Sequence, residues 1–154
     1  MITNNSINVP QTAFHAYLSA TATGVTGDGS TLYTFLGNAT LFNQGANYAT
    51  GTGNFTAPVT GNYQFTCALN LNCSLGIVIT PIMTLVTTAR SYDICTGNVN
   101  QPMTTLTVFG SIMVPMTTGD TAHITVVCQD TGGGNSTDVL GGAGSSYFEG
   151  QFIL

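Results

Sequence analysis

At 154 residues with one cation, six carboxylates and a formal net charge of −5, the chain has the length of one domain. A chain of this size can bury about 70% of its unfolded surface in a single core. Arg90 alone cannot neutralise a phosphate backbone or hold an anionic bilayer, so neither nucleic acid nor a charged membrane surface is expected as a partner.

Charged side chains make up 5% of the chain, against about a quarter in ordinary domains. Solubility therefore rests on Thr, Ser, Asn, Gln and Gly, and part of so weakly charged a surface is expected to be covered by sister subunits. No stretch reaches the ~20 apolar residues of a spanning helix, so no membrane insertion is expected. The first residues, Met1-Ile-Thr-Asn-Asn-Ser6, lack the basic and apolar regions of a secretory signal. Export by that route is not expected, and residues 1–12 read as an N-terminal extension or a junction to a preceding segment. The domain itself is expected at 13–154.

Helical periodicity is lacking; alternation at period two, broken by Gly, Asn, Asp and Pro, recurs instead. Residues 13–20 set Phe14, Ala16 and Leu18 against His15, Tyr17 and Ser19. Residues 24–29, ending in Asp28-Gly29, read as a turn. Residues 32–42 read as a strand or a bent pair, 45–53 as a loop, and 54–58 as a short strand stopped by Pro58. From 63 to 71, Tyr63, Phe65, Cys67, Leu69 and Leu71 line one face of a long strand, with Gln64, Thr66, Ala68 and Asn70 on the other. Residues 77–88 read as a strand bent near Pro81, and 90–95 as a short strand. Leu106, Val108, Gly110, Ile112, Val114 and Met116 alternate along another long strand. A turn at 118–121 leads into 122–129, a glycine-rich loop covers 131–135, and 138–140 is a short segment. Residues 146–154 close the chain with Phe148, Gly150, Phe152 and Leu154 on one face. About ten short strands without helices predict an all-β antiparallel sandwich or barrel.

The four cysteines, Cys67, Cys73, Cys95 and Cys128, form no Cys-x-x-Cys pair and no zinc spacing. They read as buried thiols acting as small hydrophobes, with one disulfide as the alternative.

Three stretches carry a more specific signal. Phe42-Asn-Gln-Gly-Ala-Asn-Tyr48 is followed by Gly53-Asn-Phe-Thr-Ala-Pro58 and Gly61-Asn-Tyr-Gln-Phe65. Gly119-Asp120 opens a strand, and Ser146-Tyr-Phe-Glu-Gly-Gln-Phe152 ends the chain. In this order they resemble the signature of the C1q globular-head family within the C1q/TNF superfamily, from residue 13 to 154. Ala13-Phe14-His-Ala-Tyr-Leu18 suits the family's first strand. More narrowly, 24–33 followed by 42–45 looks like the C1q-like domains that end bacteriophage tail fibres and bacterial surface fibres. The resemblance implies a jelly roll in which Phe14, Phe55, Pro58, Gly61, Tyr63, Phe65, Phe148, Gly150 and Phe152 form the motif core. Gly53 and Gly61 are expected to take φ values only glycine tolerates, and Gly150 to keep space open between aromatics.

The resemblance also implies a homotrimer with one sheet facing the threefold axis. Alternation then points His15, Tyr17, Gln64, Thr66, Phe109, Met113, Tyr147 and Gln151 at the neighbours. No constellation for catalysis is present: His15 and His123 lie on separate strands without a nucleophile motif, and the six acids are scattered. No cofactor is expected. The acids that could ligate calcium are Asp28, or Asp130 with Asp138, although Asp28 reads first as a turn residue. Ligand recognition falls to loops at one end, 24–30, 73–76, 93–101 and 131–144, with Asp28, Tyr92, Asp93, Asn98, Asn135 and Asp138 as candidate contacts.

The leading reading is a non-enzymatic recognition or adhesion domain at the tip of a fibre, binding a cell-surface glycan or protein ligand. Alternatives are a structural trimerisation or capping module, a virion jelly-roll protein, and a secreted C1q/TNF-like ligand. The expected setting is extracellular, on a cell surface or a virion.

Overall fold

The computed structural model describes residues 11–73, 76–97 and 103–153. Among these there is no helix, and every strand pairing within the two sheets is antiparallel. One sheet has seven strands: β1 (Ala13–Tyr17), β2 (Ala22–Thr26), β4 (Ala39–Gln44), β7 (Gly61–Cys73), β10 (Thr105–Met116), β12 (Thr137–Val139) and β13 (Tyr147–Ile153). The other has six: β3 (Tyr33–Thr34), β5 (Tyr48–Ala49), β6 (Asn54–Thr56), β8 (Ile82–Thr87), β9 (Ser91–Thr96) and β11 (Thr121–Val127). Together they form the jelly-roll sandwich that the alternation and the motif order implied.

Strand β7 organises the first sheet. β10 pairs with it from Gly61 to Asn72, leaving the opposite edge to be divided between β13 and β12. β13 continues into β1, and β1 into β4. Tyr63, Phe65, Cys67, Leu69 and Leu71 are fully buried, as the period-two pattern requires. In the second sheet β11 is central, flanked by β8 on one side and by β6 and β3 on the other.

An aromatic cluster joins the two layers. Phe14 of β1 stacks on Tyr48 at 4.8 Å and on Phe55 at 5.2 Å, both from the six-stranded sheet, and meets Phe148 edge-on at 5.0 Å. Phe65 meets Phe55 at 5.5 Å and Phe148 at 5.5 Å. Such pairs contribute about 0.5–1.5 kcal/mol each beyond the area they bury. Phe35, fully buried, belongs to this core although no motif marked it.

Several local expectations need correction. Gly24 and Val25, expected in a turn, lie in β2, because the apical margin of β12 needs a partner and the chain supplies it there. Residues 32–42 are not one element: β3 lies in the six-stranded sheet and β4 in the other, so the chain changes layers between them. The 45–53 loop contains β5. The strand expected across Pro81 begins only at Ile82, since Pro81 has no N–H to give a ladder.

Gly53 does adopt a left-handed φ of 73°, and a Cβ there would meet the Phe35 carbonyl oxygen. Gly61 does not have a positive φ; its small size instead admits the ring of Phe152, which a Cβ would approach to 2.5 Å. Pro58 and Phe152 are half-buried rather than core, with Phe152 packed against the core edge-on to Tyr63 at 5.2 Å. Thr12, from the expected extension, is buried, and its carbonyl accepts the Phe152 N–H at 3.0 Å.

A Cβ on Gly150 would lie 2.6 Å from Phe65 Cδ1 and 2.7 Å from Phe14 Cε1. Gly150→Ala should therefore cost about 1–3 kcal/mol, read as a lower urea midpoint at fixed protein concentration. Gly51→Ala, where nothing lies within 4 Å, should leave the midpoint unchanged.

Candidate assembly face and apical loops

The residues of β7 that alternate with its core positions form the outer face of the seven-stranded sheet, and strand register arranges that face in rows. One row runs Ala39, Tyr17, Tyr147, Ala68, Phe109 across β4, β1, β13, β7 and β10. The next runs Phe42, His15, Glu149, Thr66, Ser111, and the third Gln44, Ala13, Gln151, Gln64, Met113. All eight residues expected to point at neighbours lie in these rows. Phe109 is 56% exposed, Met113 55% and Phe42 45%.

Polar groups on this face are largely engaged with one another. Gln64 Nε2 donates to Ser111 Oγ at 2.6 Å, Thr66 and Ser111 share a hydroxyl contact at 3.0 Å, and Ser111 Oγ donates to the Phe65 carbonyl at 3.0 Å. His15 Nδ1 lies 3.0 Å from Glu149 Oε2, and the imidazole stacks on Tyr147 at 5.0 Å. A cleft of about 140 Å³ opens here, lined in part by Phe42, Gln64, Thr66, Glu149 and Gln151.

Sequence reasoning set Ala68 on the non-core face of its strand but did not assign Phe42, Ser111 or Glu149 to this face. Glu149 was legible, since it falls between Tyr147 and Gln151 at period two. Phe42 was not, because the register shift between His15 and Ala16 that brings it beside His15 leaves no mark in the sequence.

At one end of β7 the chain gathers the loop after β2, Gly76–Ile79, Met103–Thr104 and the segment between β11 and β12. Isolated bridges join Asp28 to Gln129 and Val78 to Asp130 there. Asp28 caps its own turn: Oδ1 accepts the N–H groups of Thr31 (2.6 Å) and Ser30 (2.8 Å), and Oδ2 accepts the Thr31 hydroxyl. These bonds, with the Thr31 N–H the strongest influence, hold its carboxyl well below the usual range.

Asp130 is buried at 3% exposure. Burial pushes its carboxyl up, but Thr137, Ser136 and Gly132 donate to it and the net direction is down. Asp138 lies on the opposite side of β12 from Thr137, where Oδ1 accepts the Gly24 N–H at 2.7 Å. The pair proposed for calcium is thus split, with each carboxylate held by protein donors. Among the described residues no three His, Cys, Asp or Glu side chains cluster.

Asn135 is exposed in the apical loop. Tyr92 and Asp93 are not in a loop but on edge strand β9, where Tyr92 packs against the core and Asp93 accepts the Thr84 hydroxyl at 2.8 Å. Asn98 lies outside the described residues. Residues 141–144 do not join the apical loops; the Ala143 carbonyl instead reaches 3.3 Å from His15 Nε2. All four cysteines are free, and burial pushes the Cys67 and Cys128 thiols up, away from reactivity. Burial pushes the His123 imidazole down.

Residues 13–153 match the family model of the C1q domain, and the chain belongs to that family. No curated protein matches it in sequence. Among solved structures it is similar to the globular domain of zebrafish complement 1qA protein, at 22% identity and a TM-score of 0.64, covering 94% of this chain and 98% of that one. It is also similar to murine APRIL at 6% identity, with a TM-score of 0.61 and coverage of 93% and 99%. Eiger TNF from S. frugiperda gives 14%, 0.58, and 95% and 94%. Domains of this kind are typically trimeric and extracellular, and are generally recognition modules that bind ligands or receptors. Among the described residues no helix is long and apolar enough to cross a membrane.

The Asp130 cluster makes a definite prediction. Asp130→Asn should lose about 1–3 kcal/mol by leaving buried donors without acceptors. Because the folded carboxyl titrates below an unfolded aspartate, its contribution is complete above about pH 4 and disappears as pH falls through the folded value. The stability gap between wild type and variant, measured by urea unfolding, should therefore be widest near neutrality and close in acid.

Proposed function

We propose that this C1q domain assembles as a homotrimer through the outer face of its seven-stranded sheet, without catalysing a reaction. In this reading it forms the tip of a phage tail fibre or bacterial surface fibre, and its apical loops contact a cell-surface ligand such as a glycan. The observation that carries the assembly is the concentration of Phe109, Met113 and Phe42 on one face, each 45% exposed or more. Phe109 and Met113 lie together at the β10 margin of this face and Phe42 at its β4 margin, and a face that mixes exposed aromatic side chains with little charge is what interfaces favour.

The fibre setting draws support from the likeness of 24–33 and 42–45 to fibre-terminal C1q-like domains. The apical loops offer amide and hydroxyl groups from Ser30, Thr131 and Asn135, which suit sugar hydroxyls. Threefold display would raise avidity by roughly 10²–10⁴ over a single weak site.

Phe109→Glu places a charge among the exposed apolar side chains at the β10 margin of the proposed contact and should shift the protein to single chains in sedimentation velocity, with the β-sheet circular dichroism unchanged. A variant that sediments like wild type would contradict this interface. For recognition, the purified protein is screened against glycans and whole cells beside the double variant Ser30→Ala, Asn135→Ala. Binding that falls at least tenfold in the variant, with unchanged mass, supports an apical ligand site. Assembly and host attachment that are both untouched would instead favour a capping module.

A further inference from the structure

We infer that the His15–Glu149 pair makes assembly on this face proton-dependent, each subunit holding an added proton on His15 when a neighbour covers it. The inference rests on the assembly reading above and concerns its regulation.

The geometry carries it. His15 Nδ1 lies 3.0 Å from Glu149 Oε2, and Nε2 lies 3.3 Å from the Ala143 carbonyl oxygen. Both partners are acceptors. A neutral imidazole has one N–H and can serve only one of them, whereas the imidazolium donates to both. Stacking on Tyr147 at 5.0 Å and proximity to Phe42 at 6.2 Å hold the ring in this orientation.

The surroundings supply no other charge. From β13 the groups facing His15 are Glu149 and the phenol of Tyr147, and on its own strand Tyr17 lies two residues along the same face. β4 presents Phe42, the segment between β12 and β13 presents the Ala143 carbonyl, and beyond Glu149 β7 presents the uncharged Thr66. Glu149 is the only carboxylate in the three central rows.

The free subunit leaves the Glu149 side chain 39% exposed, so water can serve its carboxylate whatever the state of His15. A covering neighbour removes that water. A desolvated carboxylate without a counter-charge is strongly disfavoured, and Arg90, the one permanent cation of the chain, is not on this face. Among the described residues only His15 faces Glu149 with a group that can supply the charge. The covered state therefore holds that proton more firmly than the free state, and assembly tightens as pH falls. With one proton per subunit, log K for trimer formation falls with a slope approaching about three per pH unit at its steepest.

The test is sedimentation equilibrium of the whole chain through a urea series at about pH 5.5, 6.5, 7.5 and 8.5 and constant ionic strength. Urea brings even a tight assembly into the measurable range. Wild type should associate at least tenfold more tightly at the acid end, whereas His15→Gln and Glu149→Gln should show a flattened profile. His123→Gln should retain the steep dependence. That histidine is pushed down by burial in the other sheet, so its protonation opposes folding in acid and cannot produce the effect. A wild-type trimer with a flat profile, or a Glu149→Gln variant as steep as wild type, overturns the inference and leaves the assembly reading standing. Single chains at every pH overturn both.

Discussion

The meeting of Phe14 and Phe65, from the two strands that flank β13, over the bare backbone of Gly150 is the constraint on which the rest of this structure depends. Phe14 and Phe65 meet above that residue with no room for a methyl group. This brings Phe14 onto Tyr48 and Phe55 across the layer gap and seats Phe148 against both sheet partners. The aromatic cluster fixes the register of β1, β13 and β7 together, because each of those strands contributes a ring or the gap that admits one. A slip of one residue in any of them would send its rings to the outside.

The same alternation decides what the outside presents. Locking Phe148 and Gly150 inward forces Tyr147, Glu149 and Gln151 outward, and locking Phe65 and Cys67 inward does the same for Gln64, Thr66 and Ala68. The proposed assembly face is therefore the complement of the core. Its character follows from what the chain placed there: large apolar side chains toward the β10 margin, a shallow cleft near β4, and one carboxylate beside one histidine. In a protein with seven charged side chains, a carboxylate at the centre of such a face is the exception. The apical end is built differently. Asp28, Asp130 and Asp138 spend their oxygens on loop N–H and hydroxyl groups, shaping the loops and leaving amides and hydroxyls at the surface.

The sequence made the long strands plain, because Tyr63 to Leu71 and Leu106 to Met116 alternate without interruption and one face is wholly apolar. It also carried the family signature, and with it the jelly roll. The short strands were harder: β2, β3 and β5 have two to five residues each and are specified by tertiary partners, not by local pattern. Turn chemistry misled at Gly24 for that reason. On the assembly face, period two gave eight residues and would equally have given Ser111 and Glu149, but the bulge that carries Phe42 beside His15 is a property of pairing. Asp93 was read both within a short strand over 90–95 and at the start of a ligand loop over 93–101; β9 bears out the strand, and the bond to Thr84 that ties it to β8 could be seen only in the folded chain.

Near-absence of charge ties these features together. It offers a phosphate-bearing partner a single cation, it leaves one carboxylate in the three central rows of the proposed assembly face, and it suits a surface covered by copies of itself. Multi-angle light scattering of the unaltered protein at micromolar concentration and neutral pH tests this most directly. The account predicts a mass three times that of one chain, unchanged on tenfold dilution. A mass of one chain across that range would contradict it.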